Sequence, residues 1–135
     1  MRICGINIVA TLVAAVAIYA VGALIYGVLI GPELWMQAAG ISKEAMDAVG
    51  MSRMPFSPVM PLMTAFGMAF LFKWAGVSGP GNGVKWALLV AFASAVPALL
   101  YGWVYGVGSL SGTLIDIAHL AIGHSVAGAI LASWK

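Results

Sequence analysis

The chain has 135 residues, of which 63% are hydrophobic and 7% charged, and its mean hydropathy is +1.06. A water-exposed globular domain carries roughly 25% charged residues, so there is too little polar surface here to cover a soluble fold. The net charge of +2 comes from basic residues scattered along the chain, which make no patch for nucleic acid. The one cysteine, Cys4, has no internal disulfide partner.

A helix crossing the hydrocarbon core needs about 20 apolar residues, and four stretches meet that need. The first covers residues 8–30 and ends at Gly31-Pro32. It shares Arg2, an apolar run and Ala15-Val16-Ala17 with secretory signals, but its apolar character outlasts a signal core of about 7–15 residues. It is therefore expected to be a retained membrane helix. The second covers 56–72 and stops at Lys73; the third covers 86–107, after the breaker run Ser78-Gly79-Pro80-Gly81-Asn82-Gly83. The fourth covers 113–134, after Gly108-Ser109-Leu110-Ser111-Gly112. None shows the period-two alternation of a strand. The expected fold is a single all-α transmembrane domain, a four-helix bundle over residues 1–135.

The only sizeable loop, residues 32–55, holds Glu33, Lys43, Glu44, Asp47 and Arg53. Ser42 is placed to N-cap a short interfacial helix over 43–49, with Glu44 in its first turn and Gly50 as the stop. Trp35 and Met36 give the loop an apolar side, so it is expected to lie along the membrane interface as a lid.

Orientation follows from the basic residues. With four crossings, Arg2, Lys73, Lys85 and Lys135 fall on one side and Lys43 and Arg53 on the other, which puts both termini in the cytoplasm of a bacterial inner membrane. Lys73-Trp74, Lys85-Trp86 and Trp134-Lys135 all lie at that boundary. Tryptophan rings sit at headgroup depth and lysines snorkel to the phosphates, so these pairs read as interface anchors. The run Ala20-Val21-Gly22-Ala23-Leu24-Ile25-Tyr26-Gly27 resembles Ala95-Val96-Pro97-Ala98-Leu99-Leu100-Tyr101-Gly102, the mark of a duplicated helical hairpin or of chance among small apolar residues.

Residues 22–36, Gly-Ala-Leu-Ile-Tyr-Gly-Val-Leu-Ile-Gly-Pro-Glu-Leu-Trp-Met, resemble the end of the first helix in the domain of unknown function 1761 family of small bacterial four-helix membrane proteins. Tyr26, Gly31, Trp35 and Met36 match that pattern. Ile25 replaces a usual tryptophan, and Val28 stands where proline is common, so the local kink is expected to be lost. The layout also matches along nearly the whole chain: a charged first loop, a Gly-rich turn in mid-chain and polar residues near the start of the last helix. The resemblance implies an architecture and no activity.

Asp116 is the one acid within an apolar stretch. A start near Thr113 places it about one turn into its helix, where the helix dipole favours an interfacial acid; the sharper alternative is an acid facing the bundle or a water-filled cavity. His119, at i+3, lies within about 60° of it and is expected to donate an imidazole N–H to the carboxylate. Tyr26, Tyr101 and Tyr105 fall in the same outer half. They read first as an aromatic belt and second as the lining, with Asp116 and His119, of an outward-opening polar pocket. His124 points about 80° from Asp116 and reads as a helix-to-helix hydrogen bonder, with axial ligation of haem or a chlorophyll-type pigment (through His124 or His119) as a minor alternative. Pro97 is expected to kink the third helix and free a carbonyl near Ala93. Met46, Met51, Met54, Met60, Met63 and Met68 cluster around the first loop and second helix. They read as packing residues, Cu(I) ligation being the alternative. No Ser-His-acid set, zinc spacing or phosphate loop occurs, so no catalytic residue, metal or cofactor is assigned.

The leading functional expectation is a non-enzymatic bundle acting by association, as a homo-oligomer or with other membrane subunits. Small-residue pairs Gly22/Gly27, Gly102/Gly106 and Gly123/Ala127 would supply its packing surfaces. A small-solute or proton transporter or channel with an outward-facing pocket comes second, and a membrane enzyme last.

Overall fold

The computed structural model describes residues 2–134, except the side chains of Val49 and Met51. The expected anchor Lys135 lies outside the described residues, as does the Met51 thioether. The chain opens with a two-residue hairpin, β1 (Arg2–Ile3) against β2 (Ile6–Asn7), paired antiparallel with Arg2 opposite Asn7. Cys4 and Gly5 form its turn, both at positive φ (50° and 79°), as a tight two-residue hairpin turn requires. The Asn7 side chain then caps α1 (Ile8–Leu24) by accepting from the Ala10 amide at 3.3 Å.

Four helical segments are long and apolar enough to cross a membrane: Ile8–Leu29, Met54–Trp74, Pro80–Tyr105 and Leu110–Ser133. They are called spans 1 to 4. Span 1 is α1 continued by a π turn over Ile25–Leu29. With Val28 in place of a proline, the helix leaves α geometry at this point. Between spans 1 and 2 lie α2 (Pro32–Ala39) and α3 (Lys43–Arg53). Ser42 caps α3 as expected, accepting from the Ala45 amide at 3.2 Å. Gly50 does not stop α3, which runs on to Arg53 and passes through a short 3-10 turn, Met54–Phe56, into α4 (Val59–Trp74).

Span 3 consists of α5 (Pro80–Val90), a π turn over Ala91–Ala95 and α6 (Val96–Tyr105). It begins six residues before the expected Trp86, because Pro80 occupies the first helical position, where a missing N–H costs nothing. The Pro97 distortion takes the form of the π turn just before it, a usual way to accommodate a break in the hydrogen-bond ladder. Span 4 is α7 (Leu110–Ser133), capped by the Ser109 hydroxyl accepting from the Gly112 amide at 3.1 Å.

Span 4 sits at the centre, packed on span 3 and on span 1, and span 1 packs on span 2. Spans 2 and 3 barely meet, which leaves a groove between them. The core is built largely from small residues, including Ala14, Ala15, Ala65, Ala87, Ala127 and Ala132. Bulky side chains point outward, such as Val16, Val28 and Phe92, each more than two-thirds exposed. That inversion is what a lipid-facing bundle needs. Lipid tails give helices no hydrophobic reason to associate, so close backbone approach supplies the attraction.

The closest approach is at Gly83 and Gly128. A Cβ at Gly83 would overlap the Gly128 carbonyl and lie 2.6 Å from Ala132 Cβ; one at Gly128 would lie 2.6 Å from Ala87 Cβ. Gly83 was read above as part of a connector, so this seam was not among the expected packing pairs. Of those pairs, Gly22 and Gly123 face neighbouring spans, whereas Gly27 and Gly102 face open space. Gly128→Val should therefore separate spans 3 and 4 and lower the melting temperature in detergent, the overpacking costing about 1–3 kcal/mol or more. Gly102→Val should leave it within about 0.5 kcal/mol of wild type.

Candidate functional site

The π turn of span 1 carries Tyr26, and its hydroxyl reaches span 4. It donates to Asp116 Oδ1 at 2.7 Å and lies 3.1 Å from His119 Nδ1. The Tyr26 and His119 rings meet edge to face, with centroids 5.1 Å apart and planes at 79°. A hydroxyl has one hydrogen. With that hydrogen on the carboxylate, the histidine contact requires Nδ1–H to donate to the tyrosine oxygen. The chain of donors therefore runs from His119 through Tyr26 to Asp116. The direct Asp–His bond expected from i,i+3 spacing is replaced by a tyrosine bridge.

Two local features make this geometry possible. Span 4 starts at Leu110, so Asp116 lies in its second turn, about 9 Å along the axis. Its side-chain partner is Tyr26. On span 1, Gly22 presents no side chain to the His119 ring, and a Cβ there would stand 3.1 Å from Nε2. His119 Nε2 is itself buried and finds no partner in good hydrogen-bond geometry among the described residues, although the Ile18 backbone acts on the ring.

The loop between spans 1 and 2 closes the site from one end. Pro32 at the first helical position, Glu33 in the first turn and Gly40 in the left-handed C-cap position delimit α2. All three signals stand in the sequence, yet the helix was not among the expected elements. α2 lies on the start of span 4: Ala39 packs where a Gly112 side chain would be, and the hydroxyls of Ser109 and Ser111 both donate to the Ala38 carbonyl. Trp35 thereby sits edge-on to Tyr26, with centroids 5.8 Å apart at 75°. Its Nε1 donor is buried without a partner among the described residues. Trp35, Gly40, Val107, Thr113 and Asp116 help line a cavity of about 290 Å³, so the carboxylate at the end of the donor chain borders an open volume.

Other expected site residues lie elsewhere. Tyr101 and Tyr105 share a face as expected, stacked with centroids 6.0 Å apart at 16°. They are 65% and 81% exposed, on an apolar groove of span 3, away from Asp116 and His119. His124 is buried, and its Nδ1 contacts the Leu120 carbonyl of its own helix at 2.7 Å. It lines the groove between spans 2 and 3 along with Thr64, Met63 and Met68. Met54, Met60 and Met63 are largely exposed. Trp74, Trp86 and Trp134 are exposed at the end bearing the hairpin, and Lys73 donates to the Cys4 carbonyl at 2.7 Å.

Removing the bridging hydroxyl strands two polar groups in a low-dielectric interior. Tyr26→Phe should cost about 1–3 kcal/mol, measured as thermal stability in detergent, whereas Tyr101→Phe should cost nothing measurable. Gly22→Ala should press on the His119 ring and weaken the same seam.

No curated protein and no solved structure matches the chain. A family model described as "Protein of unknown function (DUF1761)" matches residues 9–132, which takes in the four spans but for the end residues Ile8 and Ser133, the loop helix α2 and each residue of the donor chain. The protein is a member of the DUF1761 family.

Proposed function

We propose that the protein is a proton-handling membrane bundle, a small-solute or proton transporter or channel whose outward-facing site is the His119–Tyr26–Asp116 chain. The observation that carries this reading is the Tyr26 hydroxyl, within hydrogen-bonding distance of both an acid and an imidazole. Ionisable groups inside a membrane helix are expensive and mark ion or proton paths by default.

The chemistry balances without a cofactor. A proton taken up at His119 Nε2 gives an imidazolium. Its Nδ1 proton passes to the tyrosine oxygen as the tyrosine proton passes to Asp116. The imidazole is then neutral with its hydrogen on Nε2, Tyr26 is again a phenol, and the proton rests on a carboxyl bordering the α2 cavity. Reversing the two transfers returns it. The cavity of about 290 Å³ holds roughly nine or ten waters, or one small solute with Trp35 Nε1 as a donor. The basic residues favour both termini in the cytoplasm of a bacterial inner membrane, and with that orientation this cavity opens at the outer surface.

Association, the leading expectation from the sequence, becomes the second reading, favoured by Gly27 and Gly102, which face open space and offer small-residue surfaces to another copy or to other membrane subunits. Liposomes containing the purified protein alone decide between them. The proton reading expects acidification of the lumen on an imposed pH gradient, reduced at least tenfold by Asp116→Asn and by Tyr26→Phe and unaffected by Tyr101→Phe. Protein-dependent flux that ignores Asp116→Asn, or no flux from folded protein, sinks the proton reading.

A further inference from the structure

At the opposite end from α2, the hairpin folds back beneath the bundle and borders an open cavity of about 230 Å³. Arg2 and Lys73 line it together, one from β1 and one from the end of span 2. Lys73 reaches across the hairpin turn because Gly5 leaves room: a Cβ there would stand 2.8 Å from both Cε and Nζ. One of its three ammonium hydrogens goes to the Cys4 carbonyl, leaving two for other acceptors.

The remaining polar lining is also rich in donors. Asn7 uses its Oδ1 on the Ala10 amide, and its Nδ2 carries no hydrogen bond among the described residues. Trp134 contributes an indole to the rim. Among the described residues no carboxylate lines the cavity. All four acids of the chain, Glu33, Glu44, Asp47 and Asp116, belong to the loop between spans 1 and 2 or to the second turn of span 4 beneath it, so none of them neutralises this cation pair. The other wall is apolar, with Phe72, Val77 and Leu131. Two cations, spare donors and an apolar wall therefore meet at the depth marked by Trp74, Trp86 and Trp134, where tryptophan rings settle at the headgroups.

We propose that this cavity binds the phosphodiester headgroup of an anionic phospholipid, with Arg2 and Lys73 on the phosphate oxygens and the start of the acyl chain against Val77 and Leu131. Arginine and lysine are the side chains best suited to phosphate. The cavity has room for roughly seven or eight water volumes, enough for a phosphate and part of its glycerol. A merely basic surface would bind any anionic membrane diffusely and without regard to which lysine is removed.

The test is lipid titration of the purified full chain in neutral detergent, read by native mass spectrometry and by thermal shift. Phosphatidylglycerol should bind at least tenfold more tightly than phosphatidylcholine and raise the melting temperature. Arg2→Gln and Lys73→Gln should each remove most of that preference, and Lys85→Gln, at the same end but outside the cavity, should keep it. Arg2 lies on the hairpin, outside the spans, so its variant reports on the site even if Lys73→Gln folds poorly. Equal binding of the two lipids, or equal losses from Lys85→Gln and Arg2→Gln, overturns the proposal. Glycerol phosphate that competes at the same concentration as the lipid would assign the site to a free phosphate ester and overturn the lipid assignment.

Discussion

The Tyr26 hydroxyl holds the seam between span 1 and span 4, and much of the surrounding architecture is what its position demands. A phenol packed between helices must find partners, because a buried polar group left unpaired is costly. Here it finds two on one helix, Asp116 and His119, three residues apart and therefore on one face. The π turn over Ile25–Leu29 carries Tyr26 toward that face. The missing side chain at Gly22 lets the imidazole approach, and Trp35 on α2 packs against the ring from the other side. A change at any of these positions acts on the bridge.

The rest of the bundle is arranged so that the seam can be rigid. Membrane helices gain little from hiding apolar surface, and their attraction grows as backbones approach. Alanines fill the core, and Gly83 and Gly128 bring spans 3 and 4 into contact with no side chain between them. Span 4, gripped on one side by span 3 and on the other by span 1, becomes a fixed support for Asp116 and His119. Span 2 is held through span 1, leaving the groove that His124 lines. The two ends of the molecule then differ in charge. Acids gather around α2 and the donor chain, while Arg2 and Lys73 converge under the hairpin.

Much of this was legible in the residues. Length and hydropathy determine the four crossings, Ser42 announces its cap, and Asp116 with His119 at i+3 marks the face of span 4 that carries polar chemistry. The family resemblance over residues 22–36 included Tyr26 and Trp35, which turn out to touch. What periodicity could not supply was rotation of one helix against another. Tyr26, Tyr101 and Tyr105 are equivalent as aromatic residues in the halves of their spans remote from the hairpin. Only packing shows that Tyr26 turns inward and the other two stack on an exposed face. Gly83 was hidden for a different reason: Pro80 and two glycines look like a connector, although proline at a first helical position and a glycine at a crossing are both compatible with a helix. α2 was overlooked because eight residues are too few to show a periodic stripe, so its end signals carry the information.

The central claim is that one tyrosine hydroxyl couples an imidazole to a carboxylate. Solid-state ¹⁵N NMR of histidine side chains in bilayers reads it directly, with the His119 signals assigned by comparison with His124→Asn. The account predicts that Tyr26→Phe and Asp116→Asn both shift the His119 Nδ1 resonance while Tyr101→Phe leaves it in place. A His119 spectrum identical in wild type, Tyr26→Phe and Asp116→Asn would contradict it.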